Sequence, residues 1–206
     1  MPARAGGVPD MPARSGLLGL GSNVGDRRAQ LQAAVEALPG AGVAVSACSS
    51  TYDTDPVGEV LDQPSFLNAC ILVQTALEPL ELLARVKRLE LELGRRGQHV
   101  RHGPRAIDID ILMLGDIQLH DERMSLPHEQ LLARRFVLIP ALELDFGLRT
   151  PGGESLAEAL ARLPLSEGVR REGGPLALGD AYAGAADASH AAGSTPAGTS
   201  PAIGGK

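Results

Sequence analysis

Ile107, Ile109 and Ile111 alternate with Asp108 and Asp110, and a two-residue period is the mark of a β-strand with one buried face. That alternation constrains the chain more than any other stretch. One face of the strand is isoleucine and needs a core beneath it, while the other carries two carboxylates about 7 Å apart. Two neighbouring carboxylates repel unless a cation joins them, and Mg²⁺, which takes a few hard oxygens together with nucleotide phosphates, suits them. Just upstream, Arg95, Arg96, Arg101 and Arg105 with His99 and His102 form a basic stretch that has no acidic residue between Gly94 and Ile107. Gly103-Pro104 keeps that stretch out of a regular ladder. Guanidinium forks match phosphate oxygens, so a basic loop running into a carboxylate strand reads as a phosphoryl-transfer site.

The 206 residues suit one domain with tails, and a hydrophobic fraction of 44% supports a core that aliphatic side chains must fill, since aromatics are only 2%. No apolar run reaches the length of a membrane span and no signal-peptide core is present, so a cytoplasmic protein is expected. Cys48 and Cys70 are expected as free thiols. A formal net charge of -6 argues against nucleic acid as a partner.

Residues 1–15 repeat Met-Pro-Ala-Arg, at Met1 and Met11, without periodicity. They are expected to be a disordered leader, with Met11 an alternative start. A buried strand begins at Gly16 and breaks into a turn at Gly21-Ser22-Asn23, and Gly19 and Gly21 are attributed to turn chemistry because the third glycine of a dinucleotide loop is missing. A helix from Asp26 presents Leu31, Val35 and Leu38 and stops at Pro39-Gly40. A strand over 43–54, a long Pro- and Gly-containing loop, and a strand over 66–75 follow. Asn68 lies on an otherwise apolar face of the latter, where a buried amide needs either backbone partners or a ligand. Pro79 opens a helix that Gly94 closes, with Leu82, Val86, Leu89 and Leu93 as its buried stripe. Glu90 is expected to pair with Arg95 or Arg96. Gly115-Asp116 signals a hairpin into 117–120. A short helix through Leu132, an apolar stretch over 136–144 containing Pro140, and a helix over 155–163 close a domain that spans 16–170. From Arg171 to Lys206 the Ala, Gly, Ser, Thr and Pro composition predicts a disordered tail. The order βαββαββ followed by helices predicts an α+β fold, a ferredoxin-like sandwich with a largely antiparallel central sheet flanked by helices.

Four blocks together resemble the 6-hydroxymethyl-7,8-dihydropterin pyrophosphokinase family of folate biosynthesis, over Leu17 to Leu163. They are Leu20-Gly21-Ser22-Asn23 with Gly25; Thr54-x-Pro56-x-Gly58 through Gln63-Pro64-x-Phe66-Leu67-Asn68; Gly94-Arg95 through Gly103-Pro104-Arg105-x-x-Asp108-x-Asp110; and Pro127-His128 through Arg134-x-Phe136-Val137-Leu138. The resemblance implies transfer of the β,γ-diphosphate of ATP to the hydroxymethyl group of the pterin, leaving AMP, with two Mg²⁺. It implies that Asp108 and Asp110 are metal ligands and that Arg95 and Arg105 act with them on the diphosphate. ATP contacts are implied at Glu90, Arg95, Arg105, Ile111, Arg123, Ser125, His128 and Arg134, and pterin contacts at Thr54, Asp55, Phe66, Asn68 and Phe136. Two departures stand out: His102 occupies a position where a tryptophan is common, and Gly97 one where many relatives carry an arginine. ATP and the pterin are the expected partners, and contact with other folate-pathway enzymes is left open. A nucleotidyltransferase, the rival Mg²⁺-dependent reading, would release pyrophosphate instead of AMP.

Overall fold

The computed structural model describes residues 12–56, 62–94, 103–165 and 168–178. The order of elements is β1 (Arg14–Ser22), α1 (Arg27–Ala37), β2 (Ala44–Cys48), β3 (Ser50–Thr54), β4 (Phe66–Thr75), α2 (Pro79–Glu92), β5 (Asp108–Leu114), β6 (Leu119–Asp121), β7 (Met124–Leu126), α3 (Arg135–Leu144), α4 (Leu156–Arg162) and β8 (Val169–Pro175). The main sheet runs β5-β1-β4-β3-β8, with β2 also pairing β4, and the neighbours are antiparallel. Strands β5-β1-β4-β3 with helices α1 and α2 form the expected ferredoxin-like arrangement, and β8 extends it at one edge.

Period two sorts the strand residues onto two cores. Leu18 and Leu20 of β1, Leu67, Ala69 and Ile71 of β4, and Ile109 and Ile111 of β5 pack with Leu31, Val35, Leu82 and Val86 from the first two helices. Leu17, Cys70, Leu112 and Met113 face the other way, against Val137, Leu138, Ala141, Leu156 and Ala159. Helices thus cover both faces, and the aspartates of β5 share the second face with Leu112. Caps hold the helices in register. Asp26 accepts the Ala29 N–H at 3.0 Å at the start of α1, a typical N-cap bond. Gly94 follows α2 at φ +100°, which a side chain would disfavour.

Several boundaries differ from the sequence reading. Gly19 and Gly21 lie inside β1, which runs on to Ser22, so turn chemistry does not explain them. The predicted strand over 43–54 breaks at Ser49 into β2 and β3. The turn at Gly115 exists, but residues 117–118 do not return along β5; β6 pairs with β7 instead, and the His128 N–H bonds Leu112 O at 2.9 Å on that side of β5. Residues through Leu132 form turns rather than a helix, and the Pro140 stretch is helical, as α3. Strand β1 starts at Arg14, inside the expected leader. The expected tail is corrected in the same way, because β8 covers Val169–Pro175. Its residues are mostly exposed, so no apolar alternation announced it. The ladder to β3 and the Arg28 guanidinium, bonded to Gly174 O and Pro175 O, hold it in place. Cys48 and Cys70 are free thiols, as expected. No helix among the described residues is long and apolar enough to cross a membrane.

Candidate active site

Strand register builds the site. Gly21 lies opposite Asn68 on one side and Asp108 on the other, and Gly19 lies between Cys70 and Asp110 in the same manner. Two glycines therefore separate the carboxylate strand from the strand carrying the amide. With no side chains there, the sheet face becomes the floor of a cavity of about 740 Å³, open solvent included, lined by Gly19, Gly21, Thr54, Asp55, Gln63, Phe66, Asn68, Cys70, Arg105, Asp108, Asp110, Leu112, Phe136 and Val137, among others. A Cβ on Gly21 would stand 3.0 Å from Asn68 Oδ1. Asn68 Nδ2 donates to Thr54 Oγ1 at 2.7 Å, which leaves its carbonyl edge at the cavity. Gly21→Ala is expected to displace that amide and raise the KM for the cavity's ligand by roughly tenfold, a hydrogen bond's worth, with little change in fold stability. Kinetics and a thermal melt of the variant check this.

Arg105 spans the cavity. Its guanidinium carbon lies 5.2 Å from the Phe66 ring centroid, within cation–π range, and its Nε is 3.0 Å from Asp108 Oδ2, with the two side chains 21% and 15% exposed. Buried Asn23 fixes the backbone beneath it. Asn23 Oδ1 accepts the Arg105 N–H at 2.7 Å, its own N–H donates to Arg105 O at 3.1 Å, and Nδ2 donates to Gln63 Oε1 and Pro64 O. No pattern around Asn23 pointed to this role, because a staple to segments 40 and 82 residues away leaves no local trace.

Asp110 looks into a second cavity as well, of about 720 Å³ on the same measure, lined by Leu83, Lys87, Ile109, Ile111, Asp121, Glu122, Arg123, Met124, Ser125, His128 and Glu129. The two cavities meet at this carboxylate. Burial and the neighbouring Asp108 push the Asp110 carboxyl above its ordinary range, against the pull of Lys87, His128 and Arg105.

Most of the predicted site residues come together. Thr54, Asp55, Phe66, Asn68, Phe136, Arg105 and both aspartates line the first cavity, and Ile111, Arg123, Ser125 and His128 line the second. Glu90 and Arg134 line neither. Glu90 is buried under β5, where Oε1 accepts the Ile109 N–H at 2.7 Å and Lys87 Nζ at 2.8 Å. Arg134 precedes α3, its carbonyl accepting from Val137 and Leu138. Arg95, Arg96, Gly97, His99, Arg101 and His102 lie outside the described residues, and so does the expected pairing of Glu90 with Arg95 or Arg96. Among the described residues no group of three or more His, Cys, Asp or Glu side chains converges. Two carboxylates alone still fit Mg²⁺, which fills its remaining positions with water and phosphate oxygens.

A cavity with an aromatic wall and an amide edge meets a second, charged cavity at the Asp110 carboxylate, an arrangement with room for two ligands side by side. The sequence model of 7,8-dihydro-6-hydroxymethylpterin-pyrophosphokinase (HPPK) matches residues 17–146. The chain is 46% identical over 155 residues to the 2-amino-4-hydroxy-6-hydroxymethyldihydropteridine pyrophosphokinase of Methylorubrum extorquens, covering 75% of this chain and 96% of that one. It is 43% identical over 155 residues to the protein of the same name from Pseudomonas aeruginosa, covering 74% and 93%. A Folate synthesis bifunctional protein of Arabidopsis thaliana is 41% identical over 128 residues, covering 62% of this chain and 26% of that protein. Among solved structures, wild-type Plasmodium falciparum HPPK-DHPS with STZ-DHP superposes with a TM-score of 0.59 at 15% identity, over 75% of this chain and 44% of that one; likeness at that identity speaks for the fold alone. The chain belongs to the 7,8-dihydro-6-hydroxymethylpterin-pyrophosphokinase (HPPK) family. It is an ATP-dependent diphosphotransferase of folate biosynthesis, giving AMP and the pterin diphosphate.

Proposed function

We propose that the first cavity holds the pterin, the second holds ATP, and Asp108 and Asp110 bind Mg²⁺, two ions by the family resemblance, where the cavities meet. The observation that carries this reading is the position of Asp110, which lines both cavities at once. Bound there, Mg²⁺ neutralises triphosphate charge and lowers the pKa of the pterin hydroxyl, so that no side-chain base is required.

The chain's own residues orient the reactants. Phe66 and Phe136 bracket the flat ring, and Asn68 and Thr54, with the Asp55 backbone beside them, match its donor and acceptor edge. An acceptor lacking that edge leaves buried polar groups unpaired and is rejected. Arg105, already over Phe66, reaches the diphosphate as it transfers, and Arg95 joins it in the same role. Arg123, Ser125 and His128 contact ATP on the far wall, with Ile111 beneath the nucleotide. Glu90 acts by holding the Ile109 N–H, which fixes β5 between the two aspartates, and Arg134, which lines neither cavity, is assigned to ATP by the family resemblance alone. Catalysis is then positioning and electrostatics, and His102 and Gly97 are tolerated.

The partition is tested by steady-state kinetics on Asn68→Ala and His128→Ala. Asn68→Ala is expected to raise the pterin KM by roughly ten- to hundredfold with the ATP KM within about twofold of wild type, and His128→Ala to do the reverse. Both variants raising the same KM contradicts the assignment.

A further inference from the structure

Lys87 is part of no block that the family resemblance draws on, yet it stands on the wall of the second cavity. Its Nζ lies 2.8 Å from Glu90 Oε1, and that same oxygen accepts the Ile109 N–H at 2.7 Å. The ammonium is therefore one carboxylate oxygen away from the backbone that carries Asp108 and Asp110. The two side chains differ sharply in exposure, 44% for Lys87 and 2% for Glu90. Glu90 is sunk beneath the strand, and Lys87 reaches it from the rim of the cavity. An ammonium has three donors, of which this contact uses one.

The charge on the cavity wall makes Lys87 matter. Among the described lining residues, Asp110, Asp121, Glu122 and Glu129 are acidic, and the lysine and arginine side chains are Lys87 and Arg123. Arg123 already lies 3.1 Å from Asp121 through its Nε, on the β6–β7 side. A polyphosphate entering here meets four carboxylates, and Lys87 is the cation on the wall that reaches the aspartate strand, through Glu90.

We propose that Lys87 is an ATP-binding residue of this chain, donating from α2 to a triphosphate oxygen beyond the α-phosphate while Glu90 holds its ammonium beside the metal-binding strand. This rests on the reading of the second cavity as the ATP cavity. The bland alternative is that Lys87 serves only as counter-ion to buried Glu90, and the two make different predictions for shortened nucleotides.

The test is calorimetric titration of the full chain in Mg²⁺ with AMP and with an ATP analogue carrying a methylene between the α- and β-phosphates, on wild type, Lys87→Gln and Lys87→Arg. Lys87→Gln is expected to weaken the analogue by roughly ten- to hundredfold, as loss of a charged hydrogen bond does, with AMP changed by less than about threefold. Its pterin affinity stays at the wild-type value, while the melt falls because the buried Glu90 carboxylate loses its counter-ion. Lys87→Arg keeps the charge and recovers most of the analogue affinity. Lys87→Gln binding the analogue as wild type does overturns the inference and leaves the two-cavity reading standing. Equal weakening of AMP and analogue also overturns it and marks Lys87 as the counter-ion of Glu90 alone. Failure of the wild type itself to bind the analogue in Mg²⁺ overturns the cavity assignment beneath it.

Discussion

Asp110→Asn is expected to abolish diphosphate transfer while leaving the unliganded protein more stable than the wild type. Loss of a preorganised charged group at the reacting centre lowers turnover by roughly 10³-fold or more. The stability change has the opposite sign because burial and Asp108 hold the Asp110 carboxyl above its ordinary range. A carboxyl raised on folding keeps its proton at a pH where the unfolded chain has lost it. Its contribution to stability is complete below the unfolded value and disappears as pH rises through the folded one. At neutral pH the ionised pair therefore works against the fold, and an asparagine removes the repulsion. The gain reads as a rise in melting temperature at neutral pH. It shrinks as pH falls through the raised carboxyl range. Thermal melts at neutral and acid pH, with turnover measured on the same preparations, check both halves. Asp108→Asn is the control, since it also breaks the 3.0 Å pair with Arg105 and brings no comparable gain. A less stable Asp110→Asn protein at neutral pH contradicts the electrostatic account of the pair.

The second large effect is expected at Arg105. Its guanidinium touches the Phe66 face and the Asp108 carboxylate at once, so Arg105→Ala is expected to lower kcat by roughly 10²–10³-fold and to raise the pterin KM in the same variant. Arg105→Lys keeps a point charge but neither the planar fork nor the stack, and falls between the alanine variant and wild type. Asn23 fixes the backbone of Arg105 whatever side chain is there, so both variants should melt within a few degrees of wild type. A raised pterin KM with unchanged kcat reduces Arg105 to a lid over Phe66 and removes it from the chemistry.

What could be read from the chain follows from how each feature is encoded. The carboxylate strand was legible because the two aspartates and their apolar anchor alternate within five consecutive residues, and Ile107 just before β5 and Ile109 and Ile111 within it lie in the core as that alternation requires. The antiparallel α+β fold was legible from helices and strands of ordinary length. Strand β8 was not, because backbone pairing and Arg28 hold it instead of burial, and a composition averaged over the Ala- and Gly-rich residues that follow hides a seven-residue edge strand. Gly19 and Gly21 were assigned to a turn because glycine in a sequence does not say whether it supplies a dihedral angle or an empty space; only the register opposite Asn68, Cys70 and the aspartates identifies the space. Lys87 was hidden for a related reason. On a helix read for its buried stripe, a lysine looks like part of the solvated face until β5 is laid alongside it.

The central claim is that Asp110, with Asp108 beside it on β5, joins an ATP cavity to a pterin cavity. It is tested most directly by incubating the purified full chain with ATP, Mg²⁺ and 6-hydroxymethyl-7,8-dihydropterin and separating the products by chromatography. The account predicts AMP and pterin diphosphate in equal amounts, dependent on both Mg²⁺ and the pterin, and absent with Asp108→Asn or Asp110→Asn. Pterin-dependent release of free pyrophosphate, or full product formation by either asparagine variant, contradicts it.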